Sequence, residues 1–363
     1  MSARPELRAL TSVRGLAAWF VVLFHIRGSI AGLPPIAAAA LAKGYLAVDF
    51  FFMLSGFVIW LSWSDTLRSG GLAAVPGFLH KRIARIWPLH LFVLGCTVGL
   101  VTVLLASGRH DGAEYPFDLL PLHVLLMHNW GFTDRLAWND PSWSISAEMG
   151  AYLLFPLLTM AIDWRRVPTA AILGTVVALA IILNAVFAAS GFETLGADIA
   201  RFGLIRCLIE FSIGTAICAL YLRWRDRSAR PAIVAAVIGV GFGLLSYAGL
   251  PEPLALPLAF ASLLLALALT SGMRANPLEG KALHYLGEIS YATYLGHFVL
   301  FVVFKLVFVR DVDDIPVPLI GSYLLLVLIT SILLYHGVER PAQRFVNALA
   351  LPVFRSKARP VSR

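Results

Sequence analysis

Ten stretches of about 20 predominantly apolar residues follow one another along this chain of 363 residues, and this repetition restricts the fold more than any other feature. The hydrocarbon core of a bilayer is about 30 Å thick, and an α-helix needs about 20 apolar residues to cross it. Only 14% of the residues are charged, whereas about a quarter are charged in soluble domains. The sequence therefore predicts an all-α, polytopic integral membrane protein. The predicted helices cover residues 10–32, 44–64, 87–106, 143–162, 168–190, 203–222, 231–249, 254–271, 284–309 and 317–338.

The lysine and arginine residues of the connections fall mainly on one side of the predicted membrane. Assigning alternate connections to opposite sides places 20 of these residues on one face and 6 on the other. Cytoplasmic connections carry an excess of Lys and Arg, so we expect both termini in the cytoplasm, in agreement with an even number of helices. The membrane-embedded domain is predicted over residues 1–346, followed by a basic cytoplasmic tail over residues 347–363.

The net charge of +8 and the three cysteines exclude some classes of protein. The basic residues are spread over short inner connections, which membrane topology and anionic lipid explain, so we predict no nucleic-acid partner. Cys96, Cys207 and Cys218 fall inside predicted helices, so no disulfide framework is implied. No spacing typical of metal ligands occurs, and we predict no metal. The sequence does not define an oligomeric state.

Two ionisable residues interrupt the first apolar stretch. Arg14 and His25 are 11 residues apart, which places them on one face of a helix, about 16 Å apart along its axis. Arg14 can reach the inner interface, and His25 can form a hydrogen bond with a neighbouring helix. Ionisable groups at depth in a membrane are nevertheless functional by default, so this face is predicted to line a site.

Two carboxylates are predicted at a depth similar to that of His25. Asp49 and Glu148 each lie about 8 Å below the outer end of their helices, and His25 lies about 10 Å below it. Arg206 and Glu210, one turn apart on the sixth helix, add a second polar pair. A structural ion pair between these two neighbours is the plainer interpretation.

A basic segment, HKRIARIWPLH, precedes the third predicted helix. Arg82 and Arg85 are three residues apart, so on a helical turn they present two guanidinium groups to one patch, which suits phosphate or another anion. Ordinary enrichment of inner connections in basic residues is the alternative. On the outer side, the apolar patch Leu119–Met127 predicts a short helix packed over the outer face.

Short motifs over nearly the whole chain resemble acyltransferase family 3, membrane-embedded bacterial enzymes that O-acylate glycans. The first is RALTSVRGLAAWFVVLFH, in which Arg14 and His25 match the arginine and the essential histidine of the family. The others, in order, are VDFFFMLSGFVI with Asp49, KRIARIWPLH with Arg82 and Arg85, PSWSISAEMGAYLLFP with Ser144, Glu148 and Tyr152, LGEISYATYLGH with Tyr294 and His297, and VERP.

The resemblance implies an acyl-CoA donor, most readily acetyl-CoA, on the cytoplasmic side and an acceptor hydroxyl of a glycan on the outer side of the bacterial cytoplasmic (inner) membrane. We expect His25 to act as general base, because its pKa is ordinarily close to neutral. Asp49 or Glu148 is expected to orient the imidazole. Binding of the donor is assigned to Arg14, Arg82, Arg85 and His297. Binding of the acceptor substrate is assigned to Ser144, Tyr152, Arg206 and Glu210.

Other functions are compatible with buried ionisable residues. An acyl-histidine intermediate at His25 is an alternative route within the same function. A proton-coupled transporter would also bury His25, Asp49, Glu148 and Glu210, although no repeat of two halves with matching Gly or Pro breaks is visible. In a purely structural or sensory protein, the same charges would connect helices to one another.

Overall fold

The computed structural model describes residues 7–108, 115–226, 229–273, 276–312 and 314–349. These residues form ten long helices and four short ones. The long helices are α1 (Arg8–Ile26), α3 (Ala47–Gly70), α4 (Val75–Ala106), α6 (Trp143–Ala161), α7 (Thr169–Ala188), α8 (Ile199–Trp224), α9 (Arg230–Tyr247), α10 (Glu252–Thr270), α12 (Ser290–Phe308) and α13 (Val317–Leu334). The short ones are α2 (Pro35–Ala42), α5 (Leu120–Val124), α11 (Lys281–Glu288) and α14 (Arg340–Ala348).

The long helices confirm the predicted all-α, polytopic membrane fold. Nine stretches of the described residues are long and apolar enough to cross a membrane, and one of them, Pro35–Ala106, contains both α3 and α4. Each of the ten predicted helices therefore corresponds to one long helix. The cytoplasmic position of the termini stays a prediction from the charge distribution. Most of the predicted basic tail lies outside the described residues.

Several predicted boundaries were wrong. Helix α1 ends at Ile26 instead of residue 32, so His25 lies one residue from the end of its helix and not about 10 Å below it. Helix α4 begins at Val75 instead of residue 87, so Arg82 and Arg85 belong to a helix and not to a loop. Pro76 is compatible with a helix start, and the basic turns that follow it are too polar for a hydropathy count to include. The stretch predicted as residues 284–309 is divided between α11 and α12, which meet at Ile289.

The end of the last long helix has an unusual geometry. Helix α13 is followed by a π-helical turn, Tyr335–Glu339, and then by α14. Such turns insert an extra residue and are frequent at functional sites. Here the turn places Glu339 in the interior, where its side chain is 2% exposed. This position brings the carboxylate to Arg85.

Helices α3 and α8 pack with their backbones in direct contact. A β-carbon added to Gly56 would lie 2.0 Å from the carbonyl oxygen of Phe211, and one added to Gly214 would lie 1.9 Å from that of Met53. Only glycine permits this approach. The close contact therefore fixes α3, which bears Asp49 and Ser55, against α8.

The segment between α4 and α6 enters the helix bundle. Its short helix α5 agrees with the predicted helix in the apolar patch, but it does not lie only over the outer face. The carbonyl of Val124 accepts a 2.8 Å hydrogen bond from the indole of Trp87. Trp87 lies about 28 Å along α4 from the end of this helix at Ala106, so the segment reaches far into the bundle. Irregular backbone is tolerated at such depth only where protein covers it. Asn129 attaches the segment to the first residue of α8, because its side-chain amide donates a 2.9 Å hydrogen bond to the carbonyl of Ile199.

Three buried histidines attach this segment to its neighbours. His90 on α4 contacts the carbonyl of His123 at 2.8 Å, and the rings of His123 and His128 stack at 3.9 Å between centroids. His128 also lies 3.2 Å from the Ser142 hydroxyl, just before α6. Burial, and then the neighbouring His90, lower the pKa of His123 to about 4. Burial and the two other imidazoles lower the pKa of His128 well below its usual value.

Candidate active site

Two cavities lie side by side between the helices, and Val48 and Tyr294 line both of them. The first, here the arginine cavity, has a volume of about 180 Å³. The second, here the histidine cavity, has a volume of about 360 Å³. Polar residues of the arginine cavity include Arg14, Ser55, Arg82, Arg85, Glu148 and Tyr152. The histidine cavity includes His25, Arg27, Tyr45, Asp140, Trp143 and Thr194.

The side chain of Tyr294 lies at the junction of the two cavities. Its hydroxyl is 2.7 Å from the Ser144 hydroxyl and donates a 3.1 Å hydrogen bond to the carbonyl of Pro141. Pro141 lies in the 3-10 turn just before α6 and Ser144 in the first turn of α6, whereas Tyr294 lies on α12. These bonds hold the phenol ring in place between the two cavities.

The arginines of the first cavity differ in how many of their donors are already used. Arg14 donates to the Ser290 hydroxyl at 3.1 Å and to the carbonyl of Gly287 at 2.8 Å. Arg85 forms an ion pair with Glu339. The Nε of Arg82 is buried and has no hydrogen-bond partner within the described part of the chain. The Arg82 guanidinium thus keeps a buried donor that no described protein group uses.

Glu148 faces the same cavity and accepts two hydrogen bonds. The donors are the hydroxyls of Ser55 on α3 and of Tyr152, one turn further along α6. The Arg82 guanidinium lies 5.9 Å from the centre of the Tyr152 ring. The structure therefore brings together Arg14, Arg82, Arg85, Glu148, Ser144 and Tyr152, all of which the sequence analysis had singled out, around one cavity.

His25 has partners other than those expected. Its Nδ1 lies 2.9 Å from the carbonyl of Val21 and 3.1 Å from Nε2 of His297. Its Nε2 lies 3.9 Å from a carboxylate oxygen of Asp140. Asp140 received no role from the sequence, but it begins the short 3-10 turn that precedes α6, and its carboxylate lies next to the imidazole.

The expectation that Asp49 or Glu148 orients His25 is wrong, because both carboxylates have other partners. Asp49 is fully buried and forms a bidentate ion pair with Arg206. The expected Arg206–Glu210 pair is replaced by this one. Glu210 is buried beside Asp49 and accepts no hydrogen bond from the described residues. Neither Asp49, Arg206 nor Glu210 lines the two cavities.

Two residues of the sequence motifs have contacts that the sequence did not indicate. Ser55, in the motif VDFFFMLSGFVI, donates its hydroxyl hydrogen to Glu148. Glu339 received no role although it lies in the VERP motif, and only the π-helical turn reveals that it pairs with Arg85. Among the residues that the structure describes, no three His, Cys, Asp or Glu side chains are grouped so as to hold a metal ion.

Within this polytopic membrane protein, a cationic cavity and an imidazole-bearing cavity share the lining residues Val48 and Tyr294. Comparison with known proteins identifies its class as the membrane-embedded acyltransferases. The family model described as the acyltransferase domain of family 3 matches residues 7–336. The chain belongs to this family. It is an acyltransferase, and the groups that it transfers are not aminoacyl groups.

Three relatives show how far the similarity extends. The acyltransferase MdmB of Streptomyces mycarofaciens is 31% identical over 81% of this chain and 79% of its own length. The O-acetyltransferase OatA of Staphylococcus aureus is 25% identical over 93% of this chain and 57% of its own. YrhL of Bacillus subtilis is 25% identical over 92% of this chain and 54% of its own. The chain thus spans a little over half of the two latter proteins. No solved structure matches the chain.

Proposed function

We propose that this acyltransferase moves an acyl group, with acetyl expected, from cytoplasmic acyl-CoA to a hydroxyl of a cell-surface or exported glycan. The protein would act in the bacterial cytoplasmic membrane, with His25 as general base. The observation that carries this proposal is the junction of the two cavities at Val48 and Tyr294. One cavity offers cations to a phosphorylated donor, and the other offers an imidazole to an alcohol.

The arginine cavity suits the donor. Phosphate groups bind guanidinium groups through charge-assisted hydrogen bonds. Arg82 has a buried Nε without a partner, so we assign the principal phosphate contact to it, whereas Arg14 and Arg85 contribute mainly their charge. The thioester would extend past Ser55 and Glu148 towards Tyr294, which belongs to both cavities.

The histidine cavity suits the acceptor. It combines the aromatic rings of Phe24, Tyr45 and Trp143 with the polar side chains of Thr194 and Asp140. Ligand sites commonly combine apolar walls with a few polar groups that fix orientation. An acceptor sugar packed on these rings would place one hydroxyl beside His25.

In the proposed transfer, His25 carries one proton from the acceptor hydroxyl to the thiolate of coenzyme A. Nε2 of His25 takes the proton of the acceptor hydroxyl while its oxygen attacks the thioester carbonyl carbon. The C–S bond then breaks, the ester forms, and the imidazolium returns its proton to the leaving thiolate of coenzyme A. Asp140, 3.9 Å from Nε2, stabilises the imidazolium between these steps.

An acyl-histidine intermediate is the second route to the same products. Here Nε2 itself attacks the thioester carbonyl carbon, and the C–S bond breaks to release the thiolate of coenzyme A. The acceptor hydroxyl then attacks the acyl carbon and displaces the imidazole, and its proton passes to the thiolate. Rapid quenching with acetyl-CoA in the absence of acceptor distinguishes the routes, because only the second gives a peptide containing His25 with an added acetyl mass.

The proposal is tested by replacing His25 with alanine in cells that lack the native gene. Surface glycans are then compared by intact-mass spectrometry, since the mass increment identifies the acyl group. We expect the increment to disappear with H25A and to persist with the matched control H336A, because His336 is exposed. Wild-type acylation by a normally inserted H25A variant would refute the catalytic assignment.

A further inference from the structure

His297 lies behind His25 and does not line either cavity. Its side chain is 1% exposed, and its ring centroid lies 5.0 Å from that of His25. Its own helix is fixed from the other side, because the Tyr323 hydroxyl donates a 2.9 Å hydrogen bond to the carbonyl of His297. The sequence analysis assigned His297 to the donor, but a residue in this position cannot touch acyl-CoA in the arginine cavity.

The hydrogen-bond partners of His297 define which of its nitrogens carries the hydrogen. Nδ1 lies 2.8 Å from the carbonyl oxygen of Tyr294 and 3.1 Å from that of Thr293. Carbonyl oxygens only accept hydrogen bonds, so Nδ1 must donate. In the neutral ring, Nε2 therefore presents a lone pair, and this lone pair faces His25.

The same reasoning then applies to His25. Its Nδ1 meets two acceptors, the carbonyl of Val21 at 2.9 Å and the Nε2 lone pair of His297 at 3.1 Å. Nδ1 of His25 must therefore carry the hydrogen, which leaves the lone pair on Nε2. Nε2 is the atom directed towards Asp140.

We propose that His297 is a positioning residue that holds His25 in the tautomer with a basic Nε2 and strengthens its hydrogen bond as His25 becomes an imidazolium. The kinetic consequence rests on the proposed function of His25. A hydrogen bond to a charged group contributes more than one to a neutral group, so His297 favours the protonated intermediate over the resting state. It acts through His25 and touches no substrate.

Two variants of similar length separate this role from simple packing. H297Q keeps an acceptor oxygen within reach of His25, whereas H297M fills the space without an oxygen or nitrogen acceptor. With acetyl-CoA as donor and the surface glycan freed of its O-acyl groups as acceptor, we expect H297M to lower kcat about 10- to 100-fold and to leave KM for acetyl-CoA unchanged. H297Q should recover most of kcat.

Nitrogen-15 NMR of the histidine-labelled full chain in bilayers tests the tautomer without any turnover. Comparison with H25A identifies the His25 signals, and we expect a protonated Nδ1 and an unprotonated Nε2 at neutral pH in the wild type. The opposite tautomer, equal kcat in H297M and wild type, or a rise in KM for acetyl-CoA in H297M would overturn the inference. Activity in H25A would instead overturn the proposed function.

Discussion

The hydroxyl of Tyr294 lies 2.7 Å from the hydroxyl of Ser144, and this contact spans the junction between the arginine cavity and the histidine cavity. In the proposed reaction, the donor thioester on one side and the acceptor alcohol on the other would meet at this junction. The ring of Tyr294 therefore has two consequences for the proposed reaction. It must give way to the acyl group, and it keeps the two chambers separate when no acyl group is present.

Removal of this ring is predicted to uncouple donor cleavage from transfer. In Y294A the two cavities merge, so water from the histidine cavity reaches the thioester. We expect the release of free thiol from acetyl-CoA without acceptor to rise, and glycan acylation to fall. The exposed Tyr247 (94% exposed) supplies the control Y247A. If Y294A released no more thiol than Y247A, Tyr294 would not separate the chambers.

The free donor of Arg82 predicts a specific loss of affinity for the phosphorylated part of the donor. We expect R82A to weaken coenzyme A binding about 10- to 100-fold, the loss typical of one or more hydrogen bonds to a charged group. Binding of pantetheine, which lacks the nucleotide phosphates, should not change. Calorimetry on purified protein measures both ligands, and R166A, at an exposed arginine, is the control. An equal loss for both ligands would place Arg82 away from the phosphates.

Particular residues show how much the sequence could predict. The composition and the lengths of the apolar stretches were sufficient to predict ten membrane-spanning helices, because crossing a bilayer imposes a minimum length on every helix. The motifs identified Arg14, Arg82, Arg85, Glu148 and Tyr152, and the structure gathers them at one cavity. Residues three or four apart on one helix face the same side, so the spacing of the motif residues within each helix predicted which of them share a face.

Partners between helices could not be predicted in the same way. The sequence predicted Asp49, His25 and Glu148 at a similar depth, but depth does not specify rotation about the helix axis or which helices are neighbours. The α3–α8 contact at Gly56 turns Asp49 towards Arg206 and away from His25. Asp140 reaches His25 through an irregular segment that no periodicity describes.

The buried pair of Asp49 and Arg206 is predicted to support stability more than catalysis. Removing one partner leaves an uncompensated buried charge, which typically costs about 3–5 kcal/mol. We therefore expect D49N to lower the thermal unfolding temperature markedly, while the double variant D49N/R206M recovers part of the loss. Unfolding in detergent measures this, with kcat determined on the fraction that remains folded. A D49N variant with wild-type stability and a strongly reduced kcat would instead make Asp49 part of the catalytic machinery.

The buried histidines of the segment between α4 and α6 predict a loss of stability in mild acid. Burial keeps the pKa of His123 at about 4 in the folded protein, against 6.5 in the unfolded chain. Between these values the unfolded state binds more protons, so the free energy of unfolding falls as the pH decreases from about 6.5 towards 4. For His123 alone this amounts to about 2 kcal/mol between pH 7 and pH 5.

H123F retains a ring to stack on His128 but does not titrate, so its unfolding temperature should fall less than that of the wild type over this range. H336F, at an exposed histidine, should follow the wild type. Identical pH dependence in H123F and the wild type would show that another group controls acid stability.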